Sequence, residues 1–193
     1  MRVSFTTVFA DNHPPKDPAI EELKGWCRRF HDEGLTPSYK GSSLGNLSFR
    51  PEKENNSFII TASQLEMKDN LTDDMFVRVH SCNLSMGIAH ASGVKEPSSE
   101  SMLHFEIYRK RKAVGAIFHG HSNLILLHGE ELDIPVTQKE EKPASTALVK
   151  SVLDILGNEP FLIMRNHGFL SLGRDMKEAG EQAVTLHEKC REC

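Results

Sequence analysis

The residues best suited to chemistry are His119-Gly120-His121, which follow directly on the apolar run AVGAIF at 113–118. In an extended backbone, residues two apart project to the same side, so the two imidazoles can meet one ion. A third histidine, His167, closes a second apolar run, FLIMRN, and precedes Gly168. Two strands thus each bring histidine to an end, where loops gather and sites are built. Three neutral imidazoles with one position left open form the ligand set of a catalytic zinc site, although imidazole also suits iron and other divalent metals. The bland alternative, polar residues that end strands and bond to backbone, accounts for one such histidine better than for three in this pattern.

Glu100 stands in Pro97-Ser98-Ser99-Glu100, at the first turn of a helix. Taken alone it reads as a capping carboxylate favoured by the helix dipole. Beside a tri-histidine metal it becomes the proton-transfer group, because a metal that polarises a carbonyl acidifies the adjacent carbon and leaves a base to be supplied. Three polar segments could hold an anion: Gly45-Asn46-Leu47-Ser48, Thr61-Ala62-Ser63-Gln64, and Ser98-Ser99 at the helix start. Hydroxyls, amides and free backbone N–H groups at a helix N-terminus make a phosphate cradle, though Ser and Asn also serve turns for local reasons.

These residues need elements to position them. Ile20, Leu23, Cys27 and Phe30 recur at helical spacing and predict an amphipathic helix over 18–33, opened by Asp17-Pro18 and closed near Gly34. Residues 46–50 and 57–61 predict a hairpin, and 75–81 with 84–91 a second strand pair. A helix is expected over 98–110, a buried strand over 113–118, a short helix capped by Ser122, and further strands over 133–137 and 161–164. Ala147, Leu148, Val152 and Ile155 form a helical stripe ending at Gly157. Asp175 with Glu178 forms a capping box for a final helix carrying Ala179, Ala183, Leu186 and Cys190 on one face. The expected fold is a mixed α/β/α arrangement around a largely antiparallel sheet.

At 193 residues the chain suits a single domain over 1–193, with 1–16 read as a loosely ordered start. Its net charge of −4 with scattered basic residues argues against a nucleic-acid partner. No stretch has the length of a membrane span or secretory signal, so no membrane partner is expected and the default compartment is cytoplasmic. Cys27, Cys82, Cys190 and Cys193 do not read as a disulfide framework, and the pair Cys190-x-x-Cys193 stands alone at the chain end.

The segments SLGNLSFR, IITASQ, EPSSESMLHFEIY, AVGAIFHGHS and LIMRNHGFLSLG, in that order, resemble the class II aldolase/adducin family over about residues 19–190. The resemblance implies a three-layer α/β/α sandwich, a homotetramer, and one zinc ion per subunit held by His119, His121 and His167. It makes Glu100 the catalytic glutamate and has Asn46, Ser63, Ser98 and Ser99 grip a substrate phosphate, with Gly45 shaping that loop. The implied reaction breaks or forms a carbon–carbon bond of a phosphorylated ketose through a metal-stabilised enediolate, giving dihydroxyacetone phosphate and an aldehyde. The same scaffold carries sugar-phosphate 4-epimerases and methylthioribulose-phosphate dehydratases, and on its adducin side a non-catalytic assembly module. The intact histidine set with Glu100 favours an enzyme over that module.

This chain departs from the family pattern in three places. Ala62 and Gln64 replace family residues in the second phosphate segment, and only 45 residues separate His121 from His167. Tyr39 and Tyr108 are the only tyrosines, and neither stands where the family's acid tyrosine does. Glu140-Glu141-Lys142 occupies the shortened segment and is either solvated loop or the replacement acid.

Overall fold

The computed structural model describes residues 5–52 and 55–192. The chain begins with β1 (Thr6–Asp11) and α1 (Ile20–Asp32), then a two-residue hairpin of β2 (Ser38–Tyr39) and β3 (Ser42–Ser43). Next come β4 (Asn46–Phe49), β5 (Phe58–Thr61), β6 (Phe76–Asn83) and β7 (Ile88–Ser92). They are followed by α2 (Ser101–Lys110), β8 (Ala116–Gly120), α3 (Asn123–His128) and α4 (Thr146–Ile155). The chain closes with β9 (Phe161–Met164), β10 (Gly168–Gly173) and α5 (Met176–Arg191).

Eight strands form one sheet in the order β1-β7-β6-β5-β4-β8-β10-β9. Every pairing is antiparallel except β1 with β7. The strands β4, β5, β8, β9 and β10 are buried on both faces, and alternation sorts their apolar residues into two cores. Ile59, Phe118, Ile163 and Phe169 pack with α1, α3 and α5, while Ile60, Ile117, Leu162 and Leu170 pack with α2 and α4. The three expected layers follow, with β8 and β10 near the sheet centre beneath helices on both sides.

The local signals held at several termini. Ser122, Ser145 and Asp175 each cap a helix by accepting the backbone N–H three residues on. Elsewhere non-local pairing overrode the local reading. The strand expected over 133–137 is reduced to one bridge, Val136 to Ile163: Asp133 is in a left-handed turn (φ 55), Ile134 N–H is drawn to the Gly129 carbonyl, and Pro135 has no N–H to give a ladder. The loose start expected over 1–16 gives way at Thr6–Asp11 to an edge strand, supported by the backbone of β7 rather than by its own burial. Strand β10, for which no separate strand was expected, follows the turn that carries His167. Cys190 packs in the α5 core, and Cys193 lies outside the described residues.

Candidate metal centre

Pairing with antiparallel β10 turns the end of β8 into a site. His119 shares the face of Ile117, the α2 side of the sheet, and pairs with Leu170, so the start of β10 and the preceding His167 arrive beside it. His119 Nδ1 donates to the Phe169 carbonyl at 2.8 Å, which leaves Nε2 as a free lone pair. His121 Nε2 lies 3.1 Å from His119 Nε2. One ligand nitrogen from each of His119, His121 and His167 falls within 4.8 Å of the other two. Two nitrogens on one tetrahedral zinc would lie roughly 3.3 Å apart, given bonds of about 2.0–2.1 Å. The donor set therefore fits a divalent metal. Burial, with the neighbouring His119 and His167, pushes His121 down to about 2, and burial also lowers His167. Both imidazoles are thereby held in the neutral, metal-binding form.

Glu100 occupies the N-cap position of α2 but makes no capping bond with its side chain. Its carboxylate is buried and turned to the histidines instead, with Oε2 3.1 Å from His119 Nε2 and Oε1 3.3 Å from His167 Nε2. Asn46 Nδ2 donates to Oε2 at 3.1 Å. Burial opposes ionisation here, but His119, His167 and the Asn46 amide outweigh it and hold the carboxyl below its ordinary value.

A cleft of about 660 Å³ opens over these groups. Gly45, Asn46, Ser63, Ser98 and Ser99 line it together with Glu100 and the three histidines, so all nine sequence-selected residues share one cavity. Gly45 is required at its place: its φ is +76°, and a Cβ would stand 2.6 Å from the His119 carbonyl oxygen. That close approach sets Asn46 opposite His119 in the sheet register. The family model described as the class II aldolase and adducin N-terminal domain matches residues 21–193.

The chain belongs to the class II aldolase and adducin family.

An L-fuculose phosphate aldolase of Methanococcus maripaludis is 25% identical over 84% of this chain and 88% of its own length. A methylthioribulose-1-phosphate dehydratase of a Geobacillus species is 29% identical over 72% of this chain and 74% of its own. Among solved structures, an L-fuculose-1-phosphate aldolase of Thermus thermophilus superposes with a TM-score of 0.69 at 21% identity, over 90% of this chain and 91% of that one. These likenesses place this class II aldolase-family chain on the family fold.

The cleft also holds Lys68 and Asn166, which the sequence did not single out, beside Tyr39 and Glu140, which it did. Tyr39, set aside as misplaced, lies at the cleft on the β2–β3 hairpin, whereas Tyr108 is buried behind it. Glu140 lines the cleft, and Asn166 Nδ2 donates to its carboxylate at 2.9 Å. Lys68, buried, lines it too. His104, one turn after Glu100, is fully buried, with Nδ1 2.8 Å from Ser48 Oγ, which also contacts the Tyr108 hydroxyl. No local pattern marks Lys68 or Tyr39, since their loops have no periodicity to read. His187 Nδ1 meets Ser122 Oγ at 2.9 Å, a structural role away from the cleft.

Proposed function

We propose that this chain is a metal-dependent lyase that cleaves or forms a carbon–carbon bond in a phosphorylated ketose. The observation that supports it is Glu100, a buried carboxylate whose oxygens lie 3.1 Å from His119 Nε2 and 3.3 Å from His167 Nε2, facing the three-histidine cluster. His119, His121 and His167 would hold zinc, which supplies Lewis acidity toward the substrate carbonyl and hydroxyl. Glu100 moves the proton at the reacting centre, and Asn46 keeps one carboxylate oxygen oriented toward it. Ser98 and Ser99 precede the first turn of α2, where backbone N–H groups and the helix dipole favour an anion, and Ser63 and Asn46 share that cleft. Glu140 stands in the cleft as the second acid, in place of a tyrosine. The products would be dihydroxyacetone phosphate and an aldehyde. In the same reading the chain is a single catalytic domain and works as a cytoplasmic homotetramer, as the family resemblance implies. Among the described residues no helix is long and apolar enough to cross a membrane.

The test pairs metal analysis of the wild type and His119→Ala with cleavage assays on fuculose, rhamnulose and ribulose phosphates. His119→Ala should lose the metal. Glu100→Gln should retain it and lose about 10²- to 10⁴-fold in kcat, and Glu140→Gln should lose turnover with metal retained. Full turnover in a metal-free protein would refute the reading. The dehydratase relative motivates a second reading, elimination of water from the same acidified substrate. Incubation with methylthioribulose phosphate, followed by product analysis, separates the two.

A further inference from the structure

Among the described residues, Lys68 is a buried ammonium without an anionic partner. Its side chain is 2% exposed. Nζ donates to the Ser43 and Leu44 carbonyls at 3.2 Å each and to Ser43 Oγ, all uncharged acceptors. Among the described residues no carboxylate pairs with Lys68, whereas Lys24, Lys95 and Lys177 each have a carboxylate partner. The ionisable neighbour on its core side is the Cys27 thiol, which burial pushes up to about 12 and so keeps neutral. Burying a charge this way is costly unless a counter-charge completes it, and burial lowers Lys68 itself to about 8.

The place of this ammonium is informative. Lys68 lines the cleft and is bonded to Ser43 and Leu44, and Asn46 and Ser63 line the same cavity. The same cleft carries three carboxylates, Glu100, Glu140 and Glu141, whose field disfavours an anionic ligand. Its other lysine, Lys40, is exposed and lies over the Tyr39 ring, 5.0 Å from the centroid. Among the described residues, Lys68 is therefore the one buried cationic side chain lining this cavity, apart from any metal held by the histidines.

We propose that Lys68 is the counter-charge for the substrate's phosphate, a specificity-determining residue that selects an anionic ketose over a neutral one across the Ser43–Leu44 turn. This rests on the sugar-phosphate lyase reading and adds the residue that decides its charge preference. A lysine that only pinned the turn would treat charged and neutral ligands alike.

The test is calorimetric titration of the full-length, metal-loaded wild type, Lys68→Met and Lys68→Arg with inorganic phosphate. Lys68→Met should weaken phosphate about 10- to 100-fold, the range of a through-space charge interaction in a partly desolvated site, and Lys68→Arg should recover most of it. The ratio of kcat/KM for the phosphorylated ketose over that for α-proton exchange of dihydroxyacetone should fall by the same factor in Lys68→Met. Unchanged phosphate affinity, or equal losses on both substrates, would overturn the assignment. Should the variants not fold, ¹³Cε-lysine resonances of the wild type still decide: one buried-lysine resonance should move with phosphate and stay still with dihydroxyacetone, and no such movement refutes the proposal. Absence of Glu100-dependent exchange of dihydroxyacetone in the wild type would instead sink the reaction reading and leave the phosphate titration to judge Lys68.

Discussion

Asn46 and Glu100 are 54 residues apart in sequence, yet Asn46 Nδ2 donates to Glu100 Oε2 at 3.1 Å. Asn46 also pairs with His119 in the register of β4 and β8. One amide thus joins the Gly45-Asn46 segment to the buried Glu100 carboxylate. Asn46→Ala removes a donor that favours the ionised form, so the acid limb of the kcat/KM profile should move to higher pH. A pH–rate profile checks this, and an unmoved limb would count against the link.

Metal removal should be visible in stability as well as in turnover. A ligand bound only by the folded state adds about 3 kcal/mol at a hundredfold excess over Kd. For a chain of this size that corresponds to a Tm fall of about 5–10 °C on chelation. Readdition of zinc should restore it in the wild type and not in His119→Ala, as differential scanning calorimetry would read.

Acid should destabilise the fold well before the ordinary carboxylate range. His104 is fully buried, and burial pushes its imidazole from 6.5 to about 3. The folded state keeps it neutral, whereas the unfolded chain takes up a proton as pH falls below 6.5, so its contribution is complete above that value and declines on acidification. At pH 5 the loss is on the order of 2 kcal/mol. Denaturant titrations of the metal-free protein between pH 7 and 5 should give a shallower slope in His104→Gln than in the wild type, and equal slopes would exclude His104 as a source.

Gly168 opens β10 directly after His167, at a point without room for a side chain. A Cβ there would stand 2.5 Å from the Gly120 carbonyl oxygen and 2.8 Å from His119 Cε1. Gly168→Ala should displace the His119 ring and weaken metal binding about 10- to 100-fold, the loss typical of disturbed ligand orientation. Competition against a chromogenic chelator measures it. Wild-type affinity would show that the turn can yield without moving the ring.

Much of this architecture is local and therefore legible in the sequence. The parity of His119 and His121, the apolar runs preceding His119 and His167, and the capping residues Ser122 and Asp175 act within a few residues of themselves. The hairpin of β4 and β5 and the stripe of α1 are equally local, because period-2 and period-3.6 patterns express which side of an element meets the core. Asp133, which takes a left-handed turn at the start of the run 133–137 that reads as a strand, marks the limit of that logic.

What the sequence by itself determined was the chemistry available: three imidazoles at strand ends, a glutamate at a helix start, and small polar loops. Only the tertiary structure decided that β4 lies beside β8, that Glu100 turns from capping its helix to facing His119, and that Lys68 is buried at the cleft without a carboxylate. The physical reason is range. Sheet order and desolvation depend on contacts between residues far apart in sequence, and no local pattern records which distant charge will be missing once water is excluded.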